Sequence, residues 1–323
     1  MAINDIAKKL GLSKSTVSRA ISGNGRVSQK TRELVLNYIA KTGYTPNAAA
    51  QNLATTKTQN IAFSMPLMQE SSTAGYFFEC LYGVAAVAAE NSYDVIVVRD
   101  RAEQVSRIVN SRKADGLVLS STIIGDCALE ALARAEFPIV LTGSTGVPGI
   151  IQITYDARAA FRNLTLRLID LWQGTIALLL TPRNFQVNKT RAEGFTDAFT
   201  IRNNLSPIIH WDLNDENAVC QTFKELYGQG VRNFICGDDA LCATLLHLLE
   251  GGGRFGCLVP SRQEGINIAA FHSSHFLKTF HPEIPVVEMD PAKLGSFACK
   301  ILIRKLKGQD VPATVLLDYE IKA

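Results

Sequence analysis

The chain has 323 residues, 47% hydrophobic and 20% charged, with a formal net charge of +3 at pH 7. That composition excludes a disordered or collagen-like polymer. Its long apolar runs, such as Ala85 to Ala89 and Ile176 to Leu180, are far short of a membrane span. Charge is spread unevenly. Residues 1–60 hold nine cations (Lys8, Lys9, Lys14, Arg19, Arg26, Lys30, Arg32, Lys41, Lys57) against Asp5 and Glu33, a net +7, which leaves −4 for the rest of the chain. A basic end on a mildly acidic body is the footprint of phosphate-backbone binding.

In chain order, Ile3, Ile6, Ala7 and Leu10 recur at helical spacing, and Gly11 is placed to end that helix in a left-handed turn. Ser13 is placed to cap a second helix from Lys14 to about Ile21, with Val17, Ala20 and Ile21 inward. Its outer face presents Lys14, Ser15, Thr16, Ser18 and Arg19. In a helix-turn-helix, the N-terminal residues of the second helix meet base edges, while cations and hydroxyls hold phosphates. Gly23 to Arg26 read as a charged turn. Ser28 then caps a third helix to about Thr42, with Leu34, Val35, Tyr38 and Ile39 closing the core and Gly43 as stop. A three-helix unit this small is marginal alone and is expected to tighten on DNA.

ThrValSerArg at 16–19, ValSerGlnLysThrArg at 27–32 and GlyTyrThrProAsn at 43–47 resemble the lactose/galactose repressor family at the family's spacings. Ala2 departs from the family's usual hydroxyl cap for the first helix. Residues 48–59, rich in Ala and small polar side chains, read cold as a linker with weak helical tendency. The resemblance implies a hinge helix here, with Leu53 as an apolar wedge in the minor groove, Ala50 against its floor, and Asn47 beside the DNA. Such a wedge unstacks a base step and bends the duplex. Packing under the body is the competing reading of Leu53. Gln51 stands where many relatives carry Arg.

From Asn60 onward, apolar runs at 61–65, 94–98, 116–120, 138–142, 175–180, 208–211, 233–236 and 265–269 alternate with helical stretches. These include Tyr76–Asn91, Asp156–Trp172, Thr190–Thr200 and Asp239–Glu250. The alternation predicts parallel sheets with helices on both faces, divided into two α/β lobes around a cleft. The resemblance implies a core of periplasmic-binding-protein type. The expected domains are an all-α DNA-binding head at 1–46, a hinge at 47–59, one lobe from 60–155 and 284–312, and another from 156–283 and 313–323.

The resemblance also indicates where an effector would sit. Tyr76 and Phe77 open a helix, either to stack on a ligand ring or to staple the helix. Arg191 is a forked donor suited to hydroxyls or a carboxylate. Asp238 and Asp239 stand at a strand-to-helix junction, where they accept hydroxyls or act as N-caps. His272 replaces the Asp usual in the family, which points to an unusual, acidic or phosphorylated sugar, or to a degenerate site. The C-terminal residues also depart from the family pattern.

Seven cysteines without a paired CxxC read as reduced, buried small hydrophobes. Metal and cofactor sites are not expected: HisSerSerHis at 272–275 lacks further ligands, and GlyGlyGlyArg at 251–254 lacks a phosphate loop's Lys. Asp212, Asp215 and Glu216, and the Asp238–Asp239 pair, offer carboxylates but no nucleophile, so an enzyme is not expected. A free-standing sugar-binding protein would carry an export signal in place of the basic head. The expectation is a cytoplasmic repressor, homodimeric or tetrameric, on pseudo-palindromic operator DNA and away from membranes. A sugar or sugar derivative in the cleft would control it, or alternatively a purine-like ligand or protein corepressor.

Overall fold

The computed structural model describes residues 3–22, 25–44, 57–66, 74–120, 126–183, 186–202, 207–251, 265–272 and 275–323. The chain divides into two compact units, Met1–Thr58 and Gln59–Ala323.

The first unit holds α1 (Ile3–Leu10), α2 (Lys14–Ser22) and α3 (Gln29–Thr42). Gly11 takes φ 64° and Gly43 φ 62°, the left-handed turns that stop α1 and α3. Ser28 caps α3, its hydroxyl accepting the Thr31 N–H at 3.2 Å. Ile6, Ala7, Val17, Ala20 and Val35 form the buried centre, with Tyr38 and Ile39 packed against it. Leu34, expected inward, is 49% exposed. The buried stripe of α3 runs through Val35, Tyr38 and Ile39, and Leu34 lies about 100° round the helix from Val35.

The second unit contains two six-stranded sheets. The first, ordered β11-β5-β4-β3-β1-β2, comprises β1 (Asn60–Met65), β2 (Asp94–Arg99), β3 (Gly116–Leu119), β4 (Ile139–Thr142), β5 (Ile151–Tyr155) and β11 (Thr314–Leu317). Its pairings are all parallel. The second, ordered β12-β10-β9-β8-β6-β7, comprises β6 (Ile176–Leu179), β7 (Ile208–His210), β8 (Asn233–Cys236), β9 (Asn267–Phe271), β10 (Val286–Glu288) and β12 (Glu320–Lys322). Only β12 runs antiparallel.

Strands β3, β4, β6 and β8 are buried throughout, as expected where helices cover both faces. The first lobe carries α4 (Ala74–Glu90), α5 (Ala102–Ser111), α6 (Asp126–Arg134) and α12 (Pro291–Leu306). The second carries α7 (Ala157–Leu171), α8 (Gln186–Ile201), α9 (Glu216–Gly228), α10 (Asp239–Leu249) and α11 (His275–Phe280).

Two strands sit in the opposite lobe from that expected. β10 pairs with β9 in the second sheet, setting Val286 and Val287 opposite Ala270 and Phe271. β11 pairs with β5 in the first, setting Thr314 opposite Gln152. Both are short apolar segments near the end of a sheet, and their pattern does not say which sheet they extend. The chain thus crosses between lobes after Tyr155, near Asp290, and between Leu317 and Glu320. Two of these crossings are braced: the Tyr155 hydroxyl donates to the Asp290 carbonyl at 2.7 Å and accepts the Asp290 N–H at 3.1 Å.

Helices α4 and α12 meet backbone to backbone. An added Cβ on Gly83 would overlap the Ala292 carbonyl oxygen, and one on Gly295 the Cys80 carbonyl oxygen. The cysteines depart from the expectation in part. Cys80, Cys236, Cys242 and Cys299 are free and buried, Cys127 is free but exposed, and Cys220 is disulfide-bonded. Cys257 lies outside the described residues.

Candidate functional site

On the head, Ser13 organises the start of α2. Its hydroxyl accepts the Thr16 N–H at 3.0 Å and lies 2.8 Å from the hydroxyls of both Ser15 and Thr16. This arrangement satisfies an orphan N–H of the first turn and draws the Ser15 and Thr16 side chains towards the cap. Lys14, Ser15, Ser18 and Arg19 are exposed on α2, Arg26 is exposed on the following turn, and Thr16 is half-buried. Ser28 is exposed and also caps α3, with its hydroxyl 2.8 Å from that of Thr31. Asn47, Ala50 and Leu53 lie outside the described residues.

In the core, both sheets follow the order 2-1-3-4-5 of a doubly wound fold, which places binding sites at the carboxyl ends of the strands. Tyr76 reaches across from α4 and sets its ring edge-on to His272, at the end of β9, with centroids 5.3 Å apart. Phe77 packs edge-on against Tyr76 at the same centroid distance, 5.3 Å. Arg191 of α8 lays its guanidinium over the Phe271 ring at 4.5 Å, and Phe271 stacks on Phe161 at 5.2 Å. Tyr76, Arg191 and His272 are therefore brought together from two lobes.

Asp238 is the N-cap of α10. One carboxylate oxygen accepts the Leu241 N–H at 2.8 Å, and the other accepts the Thr181 hydroxyl at 3.3 Å. Asn188 links this group to the arginine, donating to the Thr181 hydroxyl at 3.0 Å and accepting from Arg191 at 3.1 Å. Asp239 is buried beside them, within electrostatic range of Arg191. The other carboxylates noted in the sequence have structural partners. Asp215 caps α9 through the Ala218 N–H at 2.8 Å, and Asp212 accepts the Arg183 N–H at 3.1 Å.

Burial governs the electrostatics. It pushes the His272 imidazole down to about 4, with the neighbouring Arg191 charge acting in the same direction. Burial also lowers Arg191, opposed by Asp238, and raises the Tyr76 hydroxyl. His272 holds a left-handed backbone, φ 73°, rare for a residue with a Cβ. Its Nδ1 and the Arg191 Nε are buried without hydrogen-bond partners, as is the Ser120 hydroxyl at the end of β3.

Several residues where the two lobes meet were not picked out from sequence. Ser120 and Thr142 end β3 and β4 of the first lobe, Tyr155 and Asp290 brace the crossings, and Thr181 and Asn188 bridge Asp238 to Arg191. Trp211, just beyond β7, carries the Arg183 guanidinium 4.9 Å from its ring centre. A usable signal existed for some of them: polar residues that close otherwise apolar strands, as in ValLeuSer, ValLeuThr and LeuLeuThr.

A helix-turn-helix head joined to two doubly wound lobes defines a DNA-binding regulator with a two-lobed core. Comparison with known proteins agrees. The family model for bacterial regulatory proteins of the lacI family matches residues 2–47. That for periplasmic binding proteins and the sugar binding domain of the LacI family matches residues 64–257. A curated relative, the HTH-type transcriptional regulator pepR1 of Lactobacillus delbrueckii subsp. lactis, is 24% identical over 99% of this chain and 96% of its own. The Lac repressor dimer bound to operator and an anti-inducer shares the fold with a TM-score of 0.79, at 21% identity over 99% of this chain and 97% of that one. A complex of the transcriptional regulator CelR with cellobiose gives 0.69 at 20% identity, over 100% and 98%. The chain belongs to the LacI family of transcriptional regulators, which are not enzymes.

Proposed function

We propose that this regulator is a repressor whose operator affinity is set by a small molecule, a sugar or sugar derivative, bound between the core lobes. One observation carries the reading: Tyr76 from the first lobe meets Arg191 and His272 from the second, beside crossings braced by Tyr155 and Asp290. A ligand that favours one separation of the lobes shifts the population of that state, and through it the affinity for DNA. The CelR–cellobiose complex, on a core of the same fold, supports a sugar-sized occupant.

On the head, Lys14, Ser15 and Arg19 are the base-reading groups. Ser13, Thr16, Ser18, Arg26 and Ser28 hold phosphates, and Asn47, Ala50 and Leu53 serve the centre of the operator. The protein acts as a homodimer in the cytoplasm. Phe78, Tyr82 and Val97 are 60%, 74% and 49% exposed on α4 and the edge strand β2, an apolar face suited to a second copy.

Selection from a random duplex pool with the full chain tests the reading. A pseudo-palindromic consensus is expected, and Lys14→Ala should reorder its half-site preferences. A pool that stays flat, or a Lys14→Ala protein with unchanged rank order, contradicts the assignment.

A further inference from the structure

We infer that the molecule held in the cleft is an anion, a small polyol bearing a carboxylate or phosphate, with Arg191 as its counter-charge. The inference rests on the effector reading above and narrows it.

It follows from which polar atoms in the cleft are already engaged. Both oxygens of Asp238 are occupied, by the Leu241 N–H and the Thr181 hydroxyl. The Asn188 carbonyl oxygen is occupied by Arg191, and Asp239 is engaged as well. Lys278 and Glu288, whose charges also reach His272, are paired with each other at 2.5 Å. Among the described residues, Arg191 Nε, His272 Nδ1 and Ser120 Oγ are buried without a partner, as is Ser64 Oγ on β1.

Arg191 Nε can only donate, and a neutral imidazole can present an N–H at Nδ1. The ends of β3 and β4 on the opposite lobe offer the hydroxyls of Ser120 and Thr142, the latter hydrogen-bonded to Cys80. Thr142 also donates to the Leu119 carbonyl at 3.5 Å, so the unspent hydroxyl at these two strand ends is that of Ser120.

A sugar hydroxyl can accept from these donors too, but it brings no charge to a buried guanidinium. A carboxylate or phosphate brings acceptors and charge together. The guanidinium keeps its charge, rests on the Phe271 face at 4.5 Å and has no carboxylate in ion-pair contact among the described residues. A buried cation in that state is stabilised most by an anion that completes it. Tyr76 and His272 meet edge-on beside these atoms, one from each lobe.

The test titrates the full chain with gluconate, inorganic phosphate and glucose at matched ionic strength, reading Tm and tryptophan fluorescence. Gluconate and phosphate are expected to raise Tm and glucose to leave it unchanged. Arg191→Met should weaken the anion effect about tenfold or more. Ser120→Ala, which removes a buried hydroxyl that bonds nothing, should weaken it less but in the same direction. Stabilisation by glucose alone would overturn the anion and leave a sugar-controlled repressor standing. Anion binding indifferent to both variants would place the anions on the basic head and overturn the inference. Silence to all three ligands would remove the effector reading as well.

Discussion

The head and the core solve the same problem, presenting polar groups to a ligand, in opposite ways. In the head, caps and an apolar stripe within some forty contiguous residues build the scaffold, and the reactive groups point outward from one helix. Ser13, Lys14, Ser15 and Arg19 are all within a few residues of one another. In the core, the groups that meet are Tyr76, Arg191 and His272, far apart in sequence and joined only because two sheets present their strand ends to each other. Local chemistry is enough to place the first kind of site. The second depends on topology, so its residues are spaced by the fold and not by a motif.

The largest effect that could break this contrast is loss of the head alone. Val35→Asp places a charge among the buried side chains of Ile6, Ala7, Val17 and Ala20, and the cost is about 3 kcal/mol or more. Operator binding should vanish while calorimetry still shows the core transition at its original temperature. A core transition that shifted too would mean the two units do not fold independently.

Acid should act the other way, on the core. The ordinary histidine value is 6.5, and burial holds His272 at about 4 in the folded state. Above pH 6.5 both states keep the ring neutral. Below it the unfolded chain takes up the proton first, so stability is full above pH 6.5 and drains as pH falls towards 4. The loss is about 3 kcal/mol. His272→Asn should flatten that part of the stability–pH curve, and an unchanged curve would show that the ring is not held neutral.

A smaller effect is expected where α4 and α12 touch. Gly83→Ala drives a methyl into the Ala292 carbonyl, and should lower core stability by roughly 1–3 kcal/mol without altering the head. Equal loss in both transitions would again join what the structure separates.

The difference also explains what could be read from sequence. Caps at Ser13 and Ser28, stops at Gly11 and Gly43, and the Val17–Ala20–Val35 centre were legible because each depends on near neighbours. Leu34 was the exception: an apolar residue at the edge of a stripe reads as core until the helix phase is known. In the body, eight strands were legible from apolar runs, and the short strands β10 and β11 were assigned to the wrong lobes. Nothing in ProValValGlu or ThrValLeuLeu states which sheet they extend. Arg191, Asp238 and His272 were legible through family resemblance. That Asp238 is committed to capping α10 while Arg191 Nε and His272 Nδ1 are left open is a property of packing, and no spacing rule contains it. Ser120, Thr142 and Trp211 escaped notice because single polar or aromatic residues at strand ends are common.

The central claim is a division of labour, in which the head makes the contacts to DNA and the core sets their strength. The salt dependence of operator binding tests it most directly. Each phosphate contact contributes about one to the slope of log affinity against log salt. Arg26→Ala on the head should flatten that slope by about one unit, and Arg304→Ala, an exposed cation on α12 of the core, should leave it unchanged. Equal flattening by Arg304→Ala would contradict the account, because it would put the core on the DNA.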